Sequence, residues 1–119
     1  MRELPPASLK IRIRHGAIFA MGPGKAELLE AIQETASISA AGRKLGLSYS
    51  KTRRLLEEMN QSFRQPVVTA SRGGEHGGGS QVTETGRQAL AQFRAMEAAA
   101  GAAIAERVVA FRQLLADPH

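Results

Sequence analysis

Apolar and basic residues alternate near the start of the chain. Residues 9–14 read Leu-Lys-Ile-Arg-Ile-Arg, so apolar side chains face one way and basic side chains the other. A period of two is typical of a strand with one buried face. Gly16 can form a tight turn after His15, because glycine readily adopts positive φ. The pattern predicts a hairpin over Leu9–Ala20.

Three helices are predicted next, from apolar residues spaced by threes and fours and from residues that cap helix ends. The first covers 24–35. The second is short, begins after Ser39 as N-cap and ends at Gly46, a natural C-cap. The third follows Ser48, a second N-cap, and covers about 49–62.

A second hairpin and a long helix complete the predicted elements. Residues 67–82 predict two short strands, and the tip at 73–79 holds five of the chain's 12 glycines. Thr83 caps a final helix that we expect to extend to about Ala116, a length of about 50 Å. That exceeds the width of a domain of about 80 residues, so the far end predicts pairing with a second copy. The alternative is a helix packed entirely on its own domain.

Charge is unevenly distributed along the chain. The net charge is +5, and residues 43–72 alone hold seven basic and two acidic residues, a local balance of +5. The rest holds nine of each sign and sums to zero. A local excess predicts a local anionic partner. The alternative interpretation is a solvated basic face on an ordinary bundle helix.

Composition removes several classes of protein. The chain has no cysteine, which excludes disulfides, a thiol nucleophile and cysteine-ligated zinc or iron–sulfur sites. Its three histidines are far apart, and we find no carboxylate pair, nucleophile–base set or metal cluster. No apolar run approaches a membrane helix, and the first ten residues show no signal peptide. We therefore expect a cytoplasmic protein that is not an enzyme and has no metal or cofactor.

Two capped helices joined by a three-residue turn, the second starting with hydroxyl and basic residues, are typical of a helix-turn-helix. The major groove of DNA is about 12 Å wide and admits one α-helix. The small residues 40–42 would let the two helices approach closely. We expect Ser50, Lys51 and Arg54 in the groove and Arg53 nearer a phosphate. Tyr49 suits a phosphate or base contact, or else partial core packing.

The glycine-rich tip has three interpretations. A nucleotide-binding loop would need a lysine after the last glycine and a helix opening there, and the chain has neither. A wing beside the helix-turn-helix fits better, because Arg72 and His76 could reach a neighbouring groove. A turn without contacts is the third interpretation. The predicted DNA-binding residues are Ser39, Arg43, Lys44, Ser48, Tyr49, Ser50, Lys51, Arg53, Arg54, Arg72, Gly73, Gly74, His76, Gly77 and Gly78.

These motifs together resemble a known family. Residues 37–49, Ser-Ile-Ser-Ala-Ala-Gly-Arg-Lys-Leu-Gly-Leu-Ser-Tyr, resemble the helix-turn-helix of the ModE group of molybdate-responsive, LysR-related regulators. The resemblance continues through 57–61, the glycines of 73–79 and Val-Thr-Glu-Thr-Gly at 82–86, and covers roughly 9–97. It implies a DNA-binding fold and a dimer. The group's C-terminal Mop-type domains, which bind molybdate, are expected to be absent from this chain.

The sequence thus predicts a mainly α fold with small β: a winged helix-turn-helix plus an N-terminal β-hairpin and a long C-terminal dimerisation helix. Residues 1–83 would form the DNA-binding domain and 84–119 the helix. The expected function is a sequence-specific transcriptional regulator that binds double-stranded DNA as a homodimer. The alternatives are a protein-interaction module and a non-specific DNA-binding protein without its own effector site. The predicted dimer-interface residues are Leu90, Phe93, Ala100, Ile104, Val108, Phe111 and Leu115.

Overall fold

A computed structural model describes residues 9–71 and 79–117. Over these residues the chain forms four helices and two separate two-stranded antiparallel sheets. In chain order the elements are β1 (Ile13–His15), β2 (Ile18–Met21), α1 (Pro23–Thr35), α2 (Ile38–Lys44), α3 (Tyr49–Ser62), β3 (Val68–Ser71), β4 (Gly79–Val82) and α4 (Glu84–Arg112).

The N-terminal hairpin is shorter than the alternating pattern indicated. Strands β1 and β2 pair with Arg14 opposite Phe19, and the register shifts between Ile13 and Arg14. Gly16 lies in the turn with a φ of 63°, which supports the role predicted for it. The irregularity ends regular pairing before the chain reaches Ile11, so residues 9–12 lie alongside the hairpin outside the ladder.

Capping side chains set the start of the two central helices. Ser48 caps α3 as predicted, and its hydroxyl accepts a hydrogen bond from the Lys51 amide at 3.1 Å. The N-cap of α2 is Ser37 and not Ser39, because the Ser37 hydroxyl accepts from the Ala40 amide at 3.0 Å. Ser39 lies within the first turn of α2, with its side chain exposed.

The core lies where α1, α3 and the first turns of α4 meet the two hairpins. Fully buried side chains from α1 and α4 fill its centre, and Val67, Val68 and Val82 close it at the second hairpin. Helix α2 joins this core through a close contact with α3. A Cβ on Gly42 would lie 2.3 Å from the Thr52 hydroxyl oxygen, so only glycine lets the helices approach this far.

Polar contacts hold the second hairpin between α3 and α4. The Asn60 side-chain oxygen accepts from the Val67 amide at 2.8 Å, which ties the end of α3 to the start of β3. Thr83 caps α4 by accepting from the Gly86 amide at 3.0 Å, and its hydroxyl donates to the Pro66 carbonyl at 2.6 Å. Strand order, helix order and these contacts fix where α3 presents its outer face.

The predicted fold class is corrected by this architecture. The structure shows four helices and two small sheets, and not a clear winged helix-turn-helix with a long dimerisation helix. Most of the segment that would form a wing tip, residues 72–78, lies outside the described residues. Helix α4 ends at Arg112, before the predicted Ala116, and its 29 residues span about 43 Å.

The first turns of α4 serve the chain's own core. Leu90 is 8% exposed and Phe93 is fully buried, so the chain's own core already covers both side chains. Their assignment to a dimer interface stays a prediction. Apolar spacing identified the buried stripe correctly but could not say that α1 and the second hairpin cover it.

Candidate nucleic-acid interface

The first two turns of α3 present polar and basic side chains to solvent. Thr52, Leu56 and Met59 are buried and hold the inner face of the helix against the core. The outer face carries five exposed residues, and Tyr49 is 63% exposed, which excludes the alternative of core packing for its ring. These exposed residues are Tyr49, Ser50, Lys51, Arg53 and Arg54.

The start of α3 is held firmly by its own side chains and by α2. The Thr52 hydroxyl donates to the Ser48 carbonyl at 2.8 Å and at the same time touches Gly42. Ser48 uses its hydroxyl to cap the helix, so it positions the backbone of Lys51. Gly46, with a φ of 72°, turns the chain between the two helices. The basic end of α3 is therefore a rigid surface.

Two of the predicted cations already have acidic partners. Lys44 forms an ion pair with Glu34 on the outside of the α1–α2 corner. Arg54 contacts Glu58 one turn further along α3 at 3.3 Å. All four side chains are at least partly exposed, and surface pairs of this kind contribute about 1 kcal/mol or less. Such pairs can be exchanged for a phosphate or a base.

The remaining predicted DNA-binding residues divide between α2 and the tip of the second hairpin. Ser39 and Arg43 lie on α2 and are exposed. The residues of the tip lie outside the described residues, so their predicted contacts remain predictions: Arg72, Gly73, Gly74, His76, Gly77 and Gly78.

Sequence reasoning missed a basic groove of about 420 Å³ between the N-terminal hairpin and α3. Lys10 and Arg12 line it from the hairpin side, and Lys51 and Arg54 line it from α3. The alternating pattern at 9–14 signalled an exposed basic face, but nothing local indicated that this face adjoins α3. Packing of β2 against α3 brings the two together.

A buried lysine forms the floor of this groove. Lys25, on α1, is 6% exposed; its ammonium group donates to the Phe19 carbonyl and lies 2.9 Å from the Glu58 carboxylate. The hydrogen bond from Lys25 and the nearby Arg54 charge hold the pKa of Glu58 below its ordinary value, against a smaller opposing effect of burial. Lys25 thus links α1 to β2 through the Phe19 carbonyl and to α3 through Glu58.

The outer part of α4 and the turn that follows it carry the rest of the predicted interface residues. Ala100, Ile104 and Val108 are half-buried, whereas Phe111 and Leu115 are 61% and 56% exposed. Closer to the core, Arg94 anchors the helix by two hydrogen bonds to Glu30, at 2.8 and 3.1 Å. Beyond that anchor the exposed apolar side chains lack partners among residues 9–71 and 79–117.

The part of the chain that the structure describes contains neither a candidate metal site nor a helix that could span a membrane. Those residues contain no group of three or more histidine, aspartate or glutamate side chains placed to hold a metal ion. None of the described helices combines the length and apolar character needed to cross a membrane.

Comparison with known proteins relates the chain to molybdenum-associated proteins of bacteria. No family model matches it. It is 45% identical over 78 residues to the molybdenum-pterin-binding protein MopB of Rhodobacter capsulatus, which covers 66% of the chain and 29% of that protein. It is 37% identical over 78 residues to the molybdenum transport protein ModE of Azotobacter vinelandii (66% and 29%). It is 32% identical over 83 residues to the transcriptional regulator ModE of Yersinia pestis (70% and 30%).

The chain is therefore related to ModE-like proteins, and it spans less than a third of the length of these three relatives. The comparisons also correct two predictions. We predicted an N-terminal winged helix-turn-helix domain of ModE regulators without Mop-type domains, and a chain in which the molybdate-binding domain is absent. Both were wrong, because two thirds of the chain matches relatives named for binding or transporting molybdenum. The sequence similarity therefore gives no ground for separating this chain from molybdenum-binding proteins.

Proposed function

We propose that this chain is the DNA-contacting part of a ModE-like transcriptional regulator that binds duplex DNA as a homodimer in the cytoplasm and is not an enzyme. The observation that carries the proposal is the exposed end of α3, on which hydroxyl, aromatic and basic side chains face solvent, with only Arg54 of them in a surface ion pair. The name of the Yersinia pestis relative, a transcriptional regulator, supports the same function.

The chemistry of this surface suits sequence recognition. Lys51 and Arg54 can donate to guanine edges in the major groove, and Ser50 can donate to or accept from several bases. Arg53 lies on a different side of the helix and suits a backbone phosphate. Arg43, Lys44 and Tyr49 flank this set and would fix the orientation of the helix on the duplex.

The homodimer rests on a separate observation. Val109 and Phe111 expose large apolar side chains on the outer part of α4, at 62% and 61%. Leu114 and Leu115, just after the helix ends, are 81% and 56% exposed. A second copy that covers these side chains would remove apolar surface from water. Two copies would also present two α3 surfaces to a two-fold operator.

A second candidate function is binding of a molybdenum compound, which the names of the Rhodobacter capsulatus and Azotobacter vinelandii relatives favour. Equilibrium dialysis of the 119-residue chain against molybdate would test it. Saturable binding with a fixed stoichiometry would support this function, and retention no greater than that of a control protein would count against it for this chain.

The α3 surface is tested by removing Lys51 and Arg54, the two cations that we expect to enter the major groove of DNA. We expect Lys51→Ala and Arg54→Ala each to cost about 1–3 kcal/mol of binding to a selected duplex if the residue contacts a base. The measurement is a fluorescence anisotropy titration at fixed salt. Arg64→Ala, which removes the same charge from an exposed position just after the end of α3, is the matched control and should bind as the unmodified chain does.

The outcomes separate the competing functions. Equal affinity of all four proteins for the duplex would remove Lys51 and Arg54 from the interface. Equal affinity for selected and scrambled duplexes would favour non-specific DNA binding. No binding of duplex at low salt, together with capture of a protein partner through α4, would favour an interaction module.

A further inference from the structure

We propose that residues 9–12, the segment that leads into the N-terminal hairpin, are a second phosphate-binding element, and that the basic groove between this segment and α3 holds the DNA backbone beside the bases that α3 contacts. This deepens the proposed function and rests on it. The groove takes Lys10 and Arg12 from the segment that leads into the hairpin and Lys51 and Arg54 from α3. The alternating pattern at 9–14 already indicates a local basic face, but only the fold brings these four cations together.

The charge of the groove favours an anion. Its lining contains five basic residues, the four above and Lys25, and two acidic ones, Glu27 and Glu58, which leaves a balance of 5 − 2 = +3. Glu58 is already matched by Lys25 at 2.9 Å and by Arg54 at 3.3 Å. Lys10, Arg12 and Lys51 form no ion pair within residues 9–71 and 79–117. These three cations are available to a ligand without breaking an ion pair.

The hairpin side is ordered before any ligand binds. The Arg12 guanidinium lies 5.3 Å from the centre of the Phe19 ring, and that of Arg14 lies 4.8 Å from it. Stacking on an aromatic face restricts a long side chain, so less conformational entropy is lost when Arg12 meets a phosphate. Phe19 is itself held in place by Lys25, whose ammonium group donates to the Phe19 carbonyl.

The partner is a nucleic-acid backbone, because the groove is continuous with the α3 surface. Lys51 and Arg54 belong to both, and a duplex whose bases meet α3 must carry its phosphates along the side of that helix. Each phosphate neutralised by a cation releases counterions, so a phosphate contact adds to the dependence of affinity on salt and does not depend on base sequence.

The test uses the whole chain with Lys10 and Arg12 both changed to alanine. We expect binding to weaken several-fold on every duplex, selected or scrambled, and the slope of log affinity against log salt to become shallower by about two for each bound chain, or about four for the bound homodimer. Arg64→Ala/Arg87→Ala, with the same loss of charge at exposed positions outside the groove and outside the proposed dimer surface, is the control and should leave affinity and slope unchanged. Equal thermal unfolding of the two variants shows that the hairpin is still folded.

Each result decides one question. If the unmodified chain binds duplex and Lys51→Ala weakens it, but the Lys10/Arg12 variant keeps the full slope, the hairpin proposal is wrong and the proposed function stands. If the unmodified chain binds no duplex, the proposed function itself fails. Arg12→Lys as a single change keeps the positive charge, so this variant should keep most of the salt slope if charge is what matters. Salt-dependent binding to anionic lipid vesicles in place of duplex would overturn the assignment of the partner.

Discussion

At the residue scale, the ion pair between Lys25 and Glu58 connects α1, α3 and β2. Glu58 accepts from the buried Lys25 of α1 and from Arg54 on the surface of α3, while Lys25 also donates to the Phe19 carbonyl in β2. A lysine that is 6% exposed needs such partners, because an unpaired buried charge is strongly destabilising. The floor of the basic groove is therefore also a structural ion pair.

The depressed pKa of Glu58 makes part of the stability depend on pH. A carboxyl group whose pKa is lower in the folded state contributes stability above its unfolded pKa, and this contribution is lost as the pH falls through the folded value. We expect the free energy of unfolding to decrease as the pH drops below 4.5, the ordinary pKa of a glutamate. In the Glu58→Gln variant, part of this dependence of stability on pH should be lost. The measurement is urea unfolding from pH 7 to pH 3.

The same variant should already be less stable at neutral pH, by about 2 kcal/mol, because Lys25 keeps its charge and loses the carboxylate. Glu57→Gln, the exposed neighbour, is the control and should match the unmodified chain throughout. A Glu58→Gln curve that runs parallel to the unmodified one at every pH would show that this pair does not carry the acid sensitivity.

At the element scale, local signals placed the helices and non-local packing placed the groove. The start of α3 was predicted correctly because Ser48 caps it with its own side chain. The start of α2 was missed by two residues, because Ser37 and Ser39 are equally good capping types and only the left-handed turn at Ala36, with a φ of 56°, determines which is used. No local rule joins Lys10 to Lys51, more than forty positions apart in sequence.

The α2–α3 contact sets the position of the whole basic surface and can be tested by one methyl group. We expect Gly42→Ala to lower the unfolding free energy by about 1–3 kcal/mol, because its Cβ would lie 2.3 Å from the Thr52 hydroxyl oxygen inside the core. The measurement is thermal or urea unfolding followed by circular dichroism.

Gly101→Ala is the matched control, since Gly101 lies within α4 and a Cβ there meets nothing within 4 Å. Alanine should stabilise that helix by about 0.5–1 kcal/mol through its higher helix propensity. Opposite signs for the two variants would support the close contact. A Gly42→Ala protein as stable as the unmodified chain would mean that α2 and α3 can separate without cost.

At the scale of the whole molecule, the described chain is elongated, with a longest dimension of 56 Å against 30 and 27 Å for the other two. The outer turns of α4 and the residues that follow Arg112 account for this length, and they leave Phe111, Leu114 and Leu115 exposed. Sequence periodicity predicted a long apolar helix but assigned its first turns to a partner, whereas Leu90 and Phe93 complete the chain's own core. Which surface covers an apolar stripe is a property of the assembled fold.

The central claim, recognition of duplex DNA by the α3 surface of a homodimer, is tested most directly by selecting bound sequences from a pool of random duplex DNA with the unmodified chain. We expect a consensus made of two half-sites related by two-fold symmetry. When the Lys51→Ala/Arg54→Ala protein is used for the selection, this consensus should be lost. A pool that remains random after repeated rounds, or a consensus that the variant still enriches, would contradict it.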